Sequence, residues 1–114
     1  MVAPEVGSVV LVKFPFSDLS ATKLRPAVVL AGVDRNDWIL CQITSNPYSD
    51  QRAVRIDDAD FAVGSLLRTS YARPGKLFSA NALLMDRIVG DLAPEKLNEI
   101  LDAVVAVFQS AGNR

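Results

Sequence analysis

The side chains best suited to chemistry on a charged substrate stand at the adjoining ends of two apolar runs. Arg25 opens "RPAVVLAG" (25–32), while Thr44 and Ser45 close "DWILCQITS" (37–45), with Gln42 just before them. A guanidinium offers two parallel donors to a phosphate. Hydroxyls and an amide add donors or orient a neighbouring group. Together these residues make an anion site. The chain has no histidine. That removes the commonest general acid–base, the Ser–His and Cys–His nucleophile pairs, and most zinc constellations. The acidic "DDAD" (57–60) matches no calcium-loop spacing and reads as a solvated turn or a short helix start.

A hairpin brings the two runs together. With its turn centred between Asp34 and Arg35, opposed residues pair Pro26 with Ile43, Val28 with Cys41 and Leu30 with Ile39, an apolar face. The other face pairs Ala31 with Trp38, Val29 with Leu40, Ala27 with Gln42 and Arg25 with Thr44. A one-residue slip would send Gln42 to Val28, mixing the faces, so the apolar pattern selects the first register. Polarity then rises toward one end of one face, where Arg25 meets Thr44. Composition alone leaves a second reading open. A strand-end arginine can simply lie on the surface with its stem over apolar area, and Thr44 and Ser45 can simply begin the turn at "SNPY".

The rest of the chain supplies the frame. Its 114 residues suit one domain with a single core, residues 1–114. Half the residues are apolar, which argues against disorder. No apolar run reaches the roughly 18–20 residues of a membrane span. The start, "MVAPEVGSVV", lacks the basic region of a secretory signal. The one cysteine, Cys41, has no internal partner, and a reducing, cytoplasmic setting is expected. Net charge is −1, with nine Lys/Arg and eight Asp/Glu in residues 1–80 against three and five in residues 81–114. A basic surface, if built, comes from the first two thirds.

Strands are expected over residues 6–16, 25–32, 37–45, 52–57, 65–72 and 76–80, with a polar loop over 17–24 and a turn at "NPYSDQ" (46–51). The tail changes period. Leu97, Ile100, Leu101, Val104, Val105 and Phe108 make a helical stripe, with Pro94 at a first helical position and Glu95 near the positive end of the dipole. Ala93 is a poor cap, so this helix must depend on packing. The expected class is mainly β with a C-terminal helix: a small barrel-like sheet with a helix laid on it.

"GSVVLVKFPFSD", "RPAVVL", "ILCQITS" and the C-terminal helix, in this order, resemble the MazF/PemK family of type II toxin–antitoxin toxins, in its PemK-like branch. The resemblance spans about residues 7–108. It implies an SH3-like β-barrel of the MazF/PemK type, a homodimer, and a metal-independent endoribonuclease with no cofactor. The implied partners are single-stranded RNA and a cognate antitoxin, with no membrane. The family's essential arginine falls on Arg25 and its essential threonine on Thr44. Lys23, Gln42, Ser45, Arg73 and Lys76 are the residues expected to contact RNA. One departure stands out: Pro74 and Gly75 follow Arg73, where some relatives carry a carboxylate. Two alternatives use the same barrel, a protein-binding toxin of the gyrase-inhibitor kind and an inactive barrel that only binds antitoxin.

Overall fold

The computed structural model describes residues 3–15 and 22–112. Seven strands and one long helix follow in the order β1 (Ser8–Pro15), β2 (Thr22–Asp34), β3 (Asp37–Thr44), β4 (Val54–Ile56), β5 (Phe61–Gly64), β6 (Ser70–Asn81), β7 (Met85–Leu92) and α1 (Pro94–Gly112). Short 3-10 turns at Asp58–Asp60 and Ala82–Leu84 precede β5 and β7. The strands form one antiparallel sheet in the order β4-β6-β3-β2-β1-β7-β5. Laid flat, seven strands would hold their edges roughly 29 Å apart. Yet β4 and β5, the two edges, are joined by residues 57–60 alone, a link that reaches under about 20 Å. The sheet must therefore curl into a partly closed barrel. β5 also presses closely on β7: a Cβ built on Gly90 would lie 2.6 Å from the Val63 carbonyl oxygen.

The central hairpin keeps the expected register from Ala27 to Val29, stops short of the expected Pro26–Ile43 and Arg25–Thr44 pairs, and departs from it near the turn. Ala27 pairs with Gln42, Val28 with Cys41 and Val29 with Leu40, as the apolar pattern demands. Beyond Val29 the register shifts twice, so Ala31 pairs with Ile39 and Gly32 with Trp38, not Leu30 with Ile39 and Ala31 with Trp38. The tip is formed by Arg35 and Asn36, with Asn36 at φ 55°. Extra residues of this kind raise local twist and bend the strand.

That bending corrects another expectation. The face carrying Ala27, Val29 and Leu40 was set apart from the apolar face by its rising polarity, yet all three are fully buried. They join Val10, Val12, Ala80 and Met85 in a second cluster, against which Trp38, Phe78 and Ile88 pack. Side chains of β1, β6 and β7 cover this face. The first cluster holds Val9, Val28, Cys41, Ile43, Val54 and Ile56 with Ile100 and Val104 of the helix. The α1 stripe is thus buried only in part: Ile100 is fully enclosed, whereas Val105 and Phe108 are 51% and 65% exposed.

The strand boundaries differ too. β2 begins at Thr22, inside the expected loop, whose remainder from 17 to 21 lies outside the described residues. Residues 65–69 form a loop, and β6 then runs unbroken through Arg73, Pro74 and Gly75. Between Ile43–Ala72 and Cys41–Leu77 the ladder skips residues 73–76 on β6, a wide bulge that accommodates the fully buried Pro74. β5 and β7 were not foreseen at all. No helix among the described residues is long and apolar enough to cross a membrane.

Candidate nucleic-acid interface

The two central strands separate at the end where Arg25 and Thr44 lie. β2 remains paired with β1 as far as Thr22, with Arg25 against Val12 and Lys23 against Phe14. On its other edge the β2–β3 ladder stops at Ala27–Gln42. The break coincides with Pro26, which has no N–H to give a ladder. β3 meanwhile stays with β6, pairing Ile43 with Ala72 and Thr44 with Tyr71. A cleft of about 310 Å³ opens at this point. Lys23, Leu24, Arg25 and Pro26 contribute from β2, and Ile43, Thr44 and Ser45 from the end of β3. Arg25 and Thr44 are therefore cleft neighbours and not hydrogen-bonded strand partners.

The far wall comes from segments remote in sequence. Tyr48, Leu66, Arg68 and Ser70 complete the lining with Leu11. The loop carrying Arg68 is pinned by its own side chains. Thr69 Oγ1 donates to Asp57 Oδ1 at 2.8 Å, the Leu67 N–H donates to Ser65 Oγ at 2.8 Å, and the Ser65 hydroxyl donates to Asp58. The Thr69 bond, with help from Arg55, holds the Asp57 carboxyl below its ordinary range. The described lining residues include three cations, Lys23, Arg25 and Arg68, three hydroxyls, Thr44, Ser45 and Ser70, and the Tyr48 phenol, with no carboxylate among them. In a chain of net charge −1, this cleft is a local concentration of positive charge with hydroxyl donors beside it, suited to a phosphodiester.

Thr44 is held in place by its own turn. Its Oγ1 accepts from the Asn46 N–H and lies 3.1 Å from the Asn46 carbonyl oxygen, to which it donates. Asn46 Oδ1 in turn accepts from the Tyr48 N–H at 2.9 Å. Arg25 and Thr44 are half-buried, and Lys23 and Ser45 are exposed.

Gln42, Arg73 and Lys76 stand apart from the cleft lining. Gln42 is half-buried opposite Ala27, and Lys76 is exposed on the β6 bulge. Arg73 Nε lies 3.0 Å from Asp50 Oδ2, with only 20% and 16% of the two side chains exposed. Its guanidinium carbon sits 5.9 Å from the centre of the Tyr48 ring. Burial works to raise the Asp50 carboxyl, but the Arg73 hydrogen bond and the Arg52 N–H outweigh it and hold the group below its ordinary range. The Arg73 carbonyl accepts from the Cys41 thiol at 3.2 Å. Burial pushes that thiol up to about 12. Arg68, Ser70 and Tyr48 were missed by the sequence reading. Only "NPY" carried a signal, and it was read as a turn alone.

Comparison with known proteins agrees with this fold. Residues 5–108 match the family described as PemK-like, MazF-like toxin of type II toxin–antitoxin system. No curated protein sequence matches the chain. Among solved structures, a MazE–MazF complex from Deinococcus radiodurans aligns with a TM-score of 0.75 at 16% identity, covering 96% of this chain and 98% of that one. An endoribonuclease bound to its cognate antitoxin, from a mycobacterial species, aligns at 0.72 and 15% identity over 96% of each chain. The Mycobacterium tuberculosis toxin MazF-mt6 aligns at 0.69 and 17% identity, covering 90% of this chain and 96% of that one. At such identities these structures establish the shared fold, and the family match spans nearly the whole chain. The chain belongs to the PemK-like, MazF-like toxins of type II toxin–antitoxin systems.

Proposed function

We propose that this toxin is a metal-independent endoribonuclease that cuts single-stranded RNA in the cleft between β2 and β3. The observation that carries the reading is the cleft's composition: Lys23, Arg25 and Arg68 with Thr44, and no carboxylate among the described lining residues, at the splayed end of the central hairpin. In the reaction the RNA's 2′-oxygen attacks the adjacent phosphorus and loses its proton. The bond from phosphorus to the 5′-oxygen breaks, and that oxygen takes up a proton. The products are a 2′,3′-cyclic phosphate and a 5′-hydroxyl. Arg25 stabilises the charge that grows on the phosphorane oxygens. Thr44, held by the Asn46 N–H, turns its one hydroxyl proton from the Asn46 carbonyl to a phosphate oxygen, or positions the attacking group. Lys23 and Arg68 hold flanking phosphates, which aligns the reacting groups. The positive charge at the phosphate comes from side chains, so no metal is needed for that role.

One solved neighbour is an endoribonuclease in complex with its cognate antitoxin, and another is a MazE–MazF complex. We extend that partnership here: a cognate antitoxin covers the cleft, and the toxin acts as a homodimer. The exposed Val105 and Phe108 on the helix support a protein contact. Controlled expression in a bacterial host tests the activity. Wild type is expected to arrest growth. Arg25→Ala and Thr44→Ala, accumulating to the same level, are expected to allow it. Arrest that persists undiminished in both variants would move the toxicity away from this cleft.

A further inference from the structure

Tyr48 is a bulky aromatic placed where backbone geometry favours something smaller. The Asp50 N–H donates to the Pro47 carbonyl at 2.9 Å, closing a tight turn with Tyr48 and Ser49 at its centre. Both central residues have positive φ, 53° and 67°. Such positions ordinarily take Gly, Asn or Asp, and a non-glycine residue there stores strain. The turn nonetheless presents this residue, 66% exposed, on the lining of the cationic cleft.

The ring is also mounted. One face meets the Arg73 guanidinium, 5.9 Å from the ring centre. Arg73 is in turn tied to Asp50 at 3.0 Å, and Asp50 Oδ1 accepts from the Arg52 N–H at 2.9 Å. At its backbone, Tyr48 is joined through Asn46 to the Thr44 hydroxyl. A flat π-surface, backed by a fixed cation and set beside phosphate-binding side chains, is the arrangement that captures an unpaired base.

We propose that Tyr48 stacks one nucleobase of the single-stranded nucleic acid in the cleft, with Arg73 as the support beneath the ring. The inference rests on the ribonuclease reading for its substrate but makes a separate demand, on binding. Because every base has a π-face, the stack contributes affinity and registers the strand against Thr44, without reading a base by hydrogen bonds. It also gives Arg73 a role outside the cleft lining, as a positioning residue for the ring.

The test is equilibrium binding of a labelled mixed-sequence oligonucleotide with 2′-deoxy sugars, which cannot be cut by its own 2′-hydroxyl. Wild type, Tyr48→Phe, Tyr48→Leu and Tyr48→Ala are compared, with melting curves to verify folding and with cleavage of ordinary RNA measured in parallel. Tyr48→Phe should bind within about twofold of wild type. Tyr48→Ala and Tyr48→Leu should bind about 5- to 150-fold more weakly, the range found when a base-stacking aromatic is removed. Tyr48→Leu retains bulk without stacking, so the inference is still tested if the alanine variant is poorly folded. Equal binding by wild type and Tyr48→Leu overturns the inference, as does failure of wild type to bind. If binding falls as expected but wild type leaves RNA intact, the stacking role stands and the ribonuclease reading fails.

Discussion

The pair of Asp50 and Arg73 should anchor the wall of the cleft, and its strength can be worked out from its burial. An exposed ion pair contributes about 0.2–1 kcal/mol. Breaking a fully buried one costs about 3–5 kcal/mol, because a charge is left without its partner. Here 20% of Arg73 and 16% of Asp50 side-chain surface remains exposed, the contact is 3.0 Å, and the second carboxylate oxygen is satisfied by Arg52. The pair lies between the two limits. Asp50→Asn should therefore cost about 2 kcal/mol, which for a chain of this size lowers the melting temperature by about 8 °C. A double-mutant cycle with Arg73→Met isolates the coupling, because loss of the Tyr48 contact is common to both Arg73 variants. The pH dependence has a definite sign. The folded Asp50 carboxyl is held below its ordinary value, so its contribution is complete above the unfolded value near 3.9 and is lost as pH falls through the folded value. The stability gap between wild type and Asp50→Asn should be constant from pH 8 to pH 5 and narrow below about pH 4. Chemical denaturation at several pH values reads all of this. A coupling energy under about 0.3 kcal/mol, within the additivity expected of independent sites, or a gap that widens on acidification, would refute the reasoning.

Two further outcomes follow from burial and from the cleft's composition. Cys41 is fully buried, with its thiol pushed up to about 12, so a thiol-reactive dye at pH 8 should label the native protein only as fast as it unfolds; immediate labelling before denaturant is added would show that the core opens there. Because the described lining of the cleft holds no carboxylate, and the chain no imidazole, kcat/KM on RNA should climb about tenfold per pH unit from pH 5 to 8. A plateau with a midpoint between about pH 4 and 7 would reveal a base of the carboxylate or imidazole class.

What could be read from the sequence was what neighbouring residues determine. The apolar run Ala27, Val28 and Val29, facing Gln42, Cys41 and Leu40, allows only one register if the faces are not to mix, and that register is present over these three pairs. The shift after Val29 was not legible, because both Leu30 and Ala31 are apolar and either can take the extra position. The second core was hidden for a related reason: alternation marks two faces, but curling decides whether both become interior. "MDRIVGDL" mixes charge and apolar residues without a clean period, so β7 escaped notice although it pairs with β1 along most of its length. For the site, Lys23, Arg25, Thr44 and Ser45 were legible because one hairpin brings them together. Arg68 and Ser70 were not, since only the pairing of β6 with β3 brings the loop before β6 beside Thr44, and Tyr48 was read as part of a turn alone. Arg73 was expected among the RNA contacts from its charge and its match to a family arginine, and nothing in the sequence disclosed Asp50 as its partner 23 residues away.

The central claim, that Arg25 and the cleft around it cut RNA without a metal, is tested most directly by mapping the ends of a cut RNA. A long mixed-sequence single-stranded RNA is incubated in EDTA with wild type or Arg25→Ala, and every new terminus is located and typed chemically. The account predicts a limited set of cut sites for wild type, each with a 2′,3′-cyclic phosphate on one side and a 5′-hydroxyl on the other. It predicts no cuts above background for a folded Arg25→Ala. Intact RNA with wild type, 5′-phosphate ends, or cutting by Arg25→Ala at the wild-type rate would contradict it.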